Sequence, residues 1–309
     1  MPFFIFIFVC LVYFSSALIA PNSAHAEKPK STAAQISTKS ITVFAAGDIA
    51  DCKKNPPAES MAAKTAELIM NGLAKDNKAL VITLGDNTYP VGRAEEFNEC
   101  YEPTWGQFKN HTLPSPGNHD YGMPLALGYY NYFDELAGPD RRGYYRKTAG
   151  RWTLLSLNSN LDGAQMQEQL SWLKDVLKEN KAACTLAFWH HPFISSGGHG
   201  NNSVMKEAWK LLADAKADIV LASHDHNYER MVPVNANGDP DEKTGIRSFV
   251  VGTGGVKLTP LFFAKPSTEV RDNNTHGVLK LTLNSNSYDW EFLPVEGKTF
   301  TDKGHGVCH

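Results

Sequence analysis

Carboxylates, a phenol, a carboxamide and several imidazoles recur along this chain at short turns that follow apolar runs. In chain order they are Asp48 in Gly47-Asp48, then Asp86 and Tyr89 in Gly85-Asp86-Asn87-Thr88-Tyr89. Asn118 and His119 follow in Gly117-Asn118-His119-Asp120, then His190 with His191, then His224 and His226 in Ser223-His224-Asp225-His226. Oxygen and imidazole donors with no thiolate among them suit a hard or borderline metal ion. The donors outnumber what one tetrahedral ion takes, whereas two ions sharing a carboxylate would use them all. Two ions about 3.5–4 Å apart can generate a hydroxide and hold both ends of an in-line displacement at phosphorus. Each residue alone has a plainer reading. Gly-Asp after a strand is a common turn, Asn118 fits an Asx-turn, His190-His191-Pro192 fits a strand end, and Tyr89 fits a half-buried core ring. The plain readings explain each place separately, but not their recurrence at successive strand ends. His224 and His226, two residues apart, also fall on one side of an extended segment.

The elements that must position these donors can be read from the pattern between them. Apolar or β-branched runs predict strands at 41–46, 79–84, 152–157, 184–189, 219–222 and 246–251, with closing antiparallel strands at 279–283 and 288–293. Helical stretches are predicted at 58–73 and 204–215. A third begins at Asp162 as N-cap, with Met166, Leu170, Leu173 and Leu177 on one face. Strands alternating with helices give an α/β class, and ligands of open α/β sheets sit outside the carboxyl ends of strands. If the strands share a sheet edge, their turns converge.

Lys plus Arg is 30 against 33 for Asp plus Glu, a formal charge of −3, and hydrophobic residues make up 42%. That composition supplies a real core and excludes a nucleic-acid binder driven by net positive charge. The apolar run 3–20 ending in Ala24-His25-Ala26 reads as a secretory signal peptide, 1–26, against an uncleaved anchor. Residues 27–40 read as a linker and 41–309 as one catalytic domain, secreted or periplasmic, with no membrane attachment after cleavage. Cys52, Cys100, Cys184 and Cys308 then stand in an oxidising compartment without zinc-type spacing. Cys52 and Cys100 follow Asp48 and Asp86 at one sheet edge, while Cys184 begins the strand that ends at His190. The expected pairs are Cys52–Cys100 and Cys184–Cys308.

The order of these five motifs, with Phe188-Trp189-His190 and His224-Asp225-His226-Asn227-Tyr228-Glu229-Arg230, resembles the calcineurin-like metallophosphoesterases. Within them it resembles the purple acid phosphatase branch, because Ala50 stands where much of the superfamily has a histidine and Tyr89 supplies the branch's tyrosine. The resemblance implies a four-layer α/β/β/α sandwich of two mixed sheets flanked by helices. It implies a ferric ion on Asp48, Tyr89 and His226, and a second ion (iron, zinc or manganese) on Asn118, His190 and His224, with Asp86 bridging. His119 and His199 would face the substrate phosphate. Ser223 departs from the family's usual glycine. Gly198 and Gly200 leave His199, on a loop expected to be flexible, without an acidic or imidazole neighbour. His191 is expected to support or pack from the other side of its strand, and Gly252-Thr253-Gly254-Gly255 to line the site.

The function expected on this basis is hydrolysis of small phosphomonoesters by in-line attack of a metal-bound hydroxide. The alternatives are a phosphodiesterase or nucleotide hydrolase on the same site, and a non-catalytic binding protein, whose mark would be lost donors. The oligomeric state is left open.

Overall fold

The computed structural model describes residues 1–4, 11 and 40–309. The chain divides into two units, Met1–Gln35 and Ile36–His309. The proposed signal segment, Cys10 and the linker lie outside the described residues, apart from 1–4, 11 and 40. No helix among the described residues is long and apolar enough to cross a membrane.

Two mixed sheets are built from β-branched and aromatic runs. One takes β1 (Ile41–Ala46), β2 (Leu80–Thr83), β3 (Thr112–Leu113), β11 (Gly277–Leu283), β12 (Ser287–Pro294) and β13 (Lys303–Val307), in the order β13-β12-β11-β1-β2-β3. The other takes β4 (Tyr145–Ala149), β5 (Trp152–Ser156), β6 (Cys184–Phe188), β7 (Ile219–Ala222), β8 (Tyr228–Met231), β9 (Arg247–Val251) and β10 (Thr268–Asp272), in the order β10-β8-β9-β7-β6-β5-β4. β1, β2 and β3 run parallel, as do β5, β6, β7 and β9, and the flanking strands are antiparallel.

The alternation of the strands sorts the core into layers. Cys184, Leu186 and Phe188 of β6 face inward, into one cluster with Leu279 and Leu281 of the first sheet. Ala187, and Trp189 just beyond the strand, face outward against helices α4 (Gly163–Glu179) and α5 (Lys206–Asp214). Helix α1 (Met61–Lys75) covers the first sheet, its Gly72 lying against the Phe44 ring. Ser60 caps α1 by accepting from the Ala63 amide. Asp162 does stand at the N-cap of α4, but its side chain makes no cap bond there. The sandwich is thus the expected four-layer one.

Both disulfides form as expected. Cys52–Cys100 has a Cα separation of 5.8 Å and Cys184–Cys308 one of 5.5 Å, within the usual range. Five further strands lie outside the expected set, the two-residue β3 among them. β8 (Tyr-Glu-Arg-Met) is buried despite its charges, because Glu229 accepts from the Ser196 amide at 2.7 Å and the Thr268 hydroxyl at 2.7 Å. β4, β10 and β13 are edge or near-edge strands with polar or glycine-rich sequences. The segment between β2 and β4 folds into short helical turns and α3 (Leu127–Phe133), an organisation its mixed aromatic composition does not disclose.

Candidate metal centre

The donors converge, but from two sheet edges rather than one. The first sheet supplies Asp48, Asp86, Tyr89, Asn118 and His119 from the turns after β1, β2 and β3. The second supplies His190, His191, His199, His224 and His226 from the turns after β6 and β7. The edges are laced together by Gly47 N donating to Val251 O at 2.9 Å, and by Gly254 N donating to Gly47 O at 2.9 Å. The glycine-rich turn at 252–255 therefore does border the site.

Asp48 and Asp86 are buried, and their backbones are left-handed, with φ of 58° and 48°; His224 has φ of 70°. Aspartate tolerates this conformation better than most residues, so the turn reading of Gly-Asp was half correct. The turn conformation falls on the acid itself and aims its carboxylate inward. Gly85, with φ of 87°, precedes Asp86 under His190, where a Cβ would fall 2.6 Å from Nδ1.

At the centre, electron-rich atoms face one another. The Tyr89 hydroxyl lies 2.9 Å from Asp48 Oδ1, 3.0 Å from Asp86 Oδ2 and 3.4 Å from His226 Nε2. A phenol has one proton and satisfies at most one of these partners. His190 Nε2 lies 3.0 Å from Asn118 Oδ1, 3.1 Å from His224 Nδ1 and 3.4 Å from Asp86 Oδ2. The other ring nitrogens are committed. His190 Nδ1 donates to Leu84 O at 2.9 Å and His226 Nδ1 to Lys257 O at 3.0 Å. In their neutral forms both rings therefore turn an Nε2 lone pair inward. A cation is the partner this arrangement lacks, so the donor set fits metal ions.

The electrostatics carry the same strain. Burial opposes ionisation of Asp48 and Asp86, yet His226 beside the first and His190 beside the second hold both below the usual carboxylate range. Burial lowers the basicity of His190 and His226, but Asp86 and Asp48 respectively outweigh it and raise each to about 9. Burial, then the charges of Asp48 and Asp86, push the Tyr89 phenol well above its ordinary value. Burial and the neighbouring His190 depress His191 to about 2 and His224 to about 3.

Three expectations change in detail. β6 ends at Phe188, so strand alternation no longer governs His191. Its ring sits 4.5 Å from the His224 ring, on the donor side, with Nδ1 2.8 Å from the Ser159 hydroxyl. The His199 loop is pinned rather than loose. Asp225, buried between the two histidines of its motif, accepts from His199 N at 2.8 Å and from Gly200 N at 3.2 Å, and also binds the Ser195 hydroxyl. The His199 ring lies 4.2 Å from that of His224. Ser223 takes no left-handed conformation; that falls on His224. Its hydroxyl donates to Leu84 O at 2.5 Å and stands 3.0 Å from His190 Nδ1. Gly47 makes the room, since a Cβ there would come within 2.3 Å of that hydroxyl.

His119 stands beside the buried donors and is partly exposed. Its Nδ1 donates to Pro90 O at 2.6 Å, its Nε2 lies 3.9 Å from Asp86 Oδ2, and its side chain is 37% exposed. Asp120 closes the Gly117-Asn118-His119-Asp120 motif. It is buried, accepts from Gly117 N at 2.8 Å and from Asn87 Nδ2 at 2.9 Å, and so ties the second motif to the third. Burial and the nearby Asp86 raise it to about 7. The available signal for both was an aspartate adjoining a motif histidine, Asp120 after His119 and Asp225 between His224 and His226.

Comparison with known proteins places this geometry. A family model for calcineurin-like phosphoesterases matches residues 41–228. The chain is 29% identical over 223 residues to purple acid phosphatase 23 of Arabidopsis thaliana, covering 59% of this chain and 48% of that protein. It is 25% identical over 281 residues to probable inactive purple acid phosphatase 27 of the same plant, covering 77% and 44%. The solved purple acid phosphatase PPD1 from yellow lupin (Lupinus luteus) seeds superposes with a TM-score of 0.70 at 19% identity, covering 86% of this chain and 54% of that one. The chain thus spans about half the length of these relatives. With a family model covering more than half of it and the tyrosine-bearing donor set in place, the chain belongs to the calcineurin-like phosphoesterases, in their purple acid phosphatase-like branch.

Proposed function

We propose that the chain is an exported phosphatase that hydrolyses small phosphomonoesters at a dinuclear metal centre. One observation carries the reading: the inward-facing oxygen and nitrogen atoms of Asp48, Asp86, Asn118, His190 and His226, set around a phenol with a single proton. In this proposal Asp48, Tyr89 and His226 would hold a ferric ion, Asn118, His190 and His224 would hold a second ion, iron, zinc or manganese, and Asp86 would be shared between the two sets. When bound, the two ions supply positive charge to the phosphate and activate water.

The protein's own residues do the rest. Leu84 O and Lys257 O fix the tautomers of His190 and His226. His119, oriented by Pro90 O, offers Nε2 to a phosphate oxygen. His199, held by Asp225, gives a proton to the departing alkoxide. Export rests on the two disulfides, which persist in oxidising compartments.

The test is hydrolysis of nitrophenyl phosphate and bis-nitrophenyl phosphate by purified, metal-loaded protein at acid pH. The reading expects monoester turnover that Asp86→Ala abolishes. It also expects His199→Ala to slow an alkyl phosphate about a hundredfold and nitrophenyl phosphate far less, because a good leaving group needs no proton. Preference for the diester would favour the phosphodiesterase reading. Absence of turnover with both ions bound would make the chain a non-catalytic member, as the name of the inactive Arabidopsis relative describes that protein.

A further inference from the structure

Between β9 and β10 the chain carries an apolar loop whose side chains serve none of the roles above. Residues 256–268 read Val-Lys-Leu-Thr-Pro-Leu-Phe-Phe-Ala-Lys-Pro-Ser-Thr, with two lysines and no acid. Phe262 and Phe263 are 62% and 93% exposed, whereas every other phenylalanine and tryptophan of residues 40–309 is buried or half-buried. A single exposed apolar residue needs no explanation. Here two adjacent phenylalanines, with Pro260 and Ala264 also exposed beside them, gather apolar surface at one place, and such surface marks an interaction site.

The loop is braced, so the exposure is a property of the fold. Thr259 N donates to His226 O at 3.0 Å and Phe262 N to Ser196 O at 3.0 Å. Lys265 N donates to the Thr268 hydroxyl at 2.9 Å, and Arg271 Nη1 to Phe262 O at 2.6 Å. The same bracing sets the loop at the mouth of the candidate centre. Lys257 O holds His226 Nδ1, and the Phe262 ring lies 3.6 Å from where a Cβ on Gly198, next to His199, would fall. Phe263 touches almost nothing of its own protein, so it is a protrusion rather than part of a flat patch. A protein partner needs about 800 Å² of complementary surface on each side. A bilayer yields to a protruding aromatic and buries it between headgroups and acyl chains. The charges agree with a bilayer. Lys257 is exposed and Lys265 half-buried at the two ends of the apolar run, and the next acid along the chain, Glu269, is taken by Arg230 and Arg247. Lysines beside apolar side chains suit an anionic lipid surface, and they stand here in a chain whose formal charge is −3.

We propose that the Phe262–Phe263 loop docks the protein on an anionic lipid bilayer. The two rings enter the headgroup boundary, Lys257 and Lys265 meet lipid phosphates, and the mouth of the centre faces the surface. Attachment of this kind is peripheral, distinct from a spanning anchor at residues 3–20, and it replaces the expectation of no membrane attachment. The experiment is cosedimentation of the purified chain with vesicles of phosphatidylcholine, and of phosphatidylcholine mixed with phosphatidylglycerol. The wild type should bind the anionic vesicles more tightly than the neutral ones. Phe262→Ser combined with Phe263→Ser should lower that affinity at least about tenfold, and Lys265→Glu should lower it about tenfold. Phe263→Ser alone should weaken binding with the melting temperature unchanged, because that ring packs on almost nothing. None of the six native tryptophans is exposed, so Phe263→Trp reports on the loop directly. Its added fluorescence should shift to the blue on binding and be quenched by brominated lipid. A wild type that binds no vesicles, equal binding by the double serine variant, equal affinity for neutral vesicles, or emission untouched by brominated lipid overturns the proposal. Self-association that the double serine variant loses, in a wild type that ignores vesicles, would assign the loop to a protein partner instead.

Discussion

One motif feeds two of the polar clusters in this fold. His224 and His226 belong to the candidate centre, while Tyr228 and Arg230, two and four residues further on, belong to a cluster on β8. There Arg230 holds Asp302 through Nε at 2.6 Å and Nη2 at 3.1 Å, and also contacts Glu269. Arg247 holds Glu269 at 2.8 Å, and the Tyr228 hydroxyl donates to Asp302 at 2.7 Å. The Trp290 ring lies under both guanidiniums, at 4.9 and 5.0 Å. Every charge in that cluster has an opposite partner and every backbone involved is ordinary. In the candidate centre, with His190 and His226 neutral, acceptors face acceptors, and Asp48, Asp86 and His224 are left-handed. The first cluster pairs its own charges and holds strands together. The second is complete only with a cation, and a functional group can work there because the fold leaves it unsatisfied.

The largest expected effect comes from the incomplete cluster. Asp86→Ala should lower activity by at least about a thousandfold and reduce occupancy of both metals, whereas Asn118→Ala should deplete mainly the second. The paired cluster should behave in the opposite way. Arg230→Met should cost about 3 kcal/mol of stability by leaving Asp302 buried and unpaired, with metal content unchanged in the protein that remains folded.

The pH dependence of the two clusters sharpens the contrast. Burial opposes ionisation of Asp302, but bonds from Arg230 and Tyr228 outweigh it and hold the carboxyl below its usual value of 3.8. The stability from this depressed group is present above the unfolded value and is lost as pH falls below about 4. Arg230→Met should therefore flatten the acid limb of a stability–pH curve measured by urea titration. An unchanged limb would remove the pair from the account.

The smallest effect is expected at Ser223, whose hydroxyl braces His190 through Leu84 O. Ser223→Ala should weaken the second metal about tenfold, in the range for groups that orient a ligand, with the first metal untouched. Equal weakening of both would place the serine elsewhere in the mechanism.

Much of this was legible in the sequence, for a physical reason. Donor type and strand-end position are local properties, so Asp48, Asp86, Tyr89, Asn118, His190, His224 and His226 could be found without a fold. The cysteine pairing followed from the strand ends that Cys52, Cys100 and Cys184 occupy, which left Cys308 to Cys184. Properties that depend on nonlocal partners were less accessible. β8 reads as charged and exposed until Glu229 and Arg230 meet partners 39 and 72 residues away. The side of the strand on which His191 falls depends on where β6 stops. Asp225 pins the His199 loop from 26 residues away. That the carboxylates come from one sheet and every imidazole but that of His119 from the other is a property of the packing alone.

The central claim is that the facing donors are the ligands of two ions, one of them iron on Tyr89. Metal analysis of the purified protein, taken with its visible spectrum, tests this most directly. The account predicts two metal ions per chain, at least one of them iron, and a charge-transfer band that Tyr89→Phe removes while the fold survives. An active protein that carries no iron and shows no such band would contradict it.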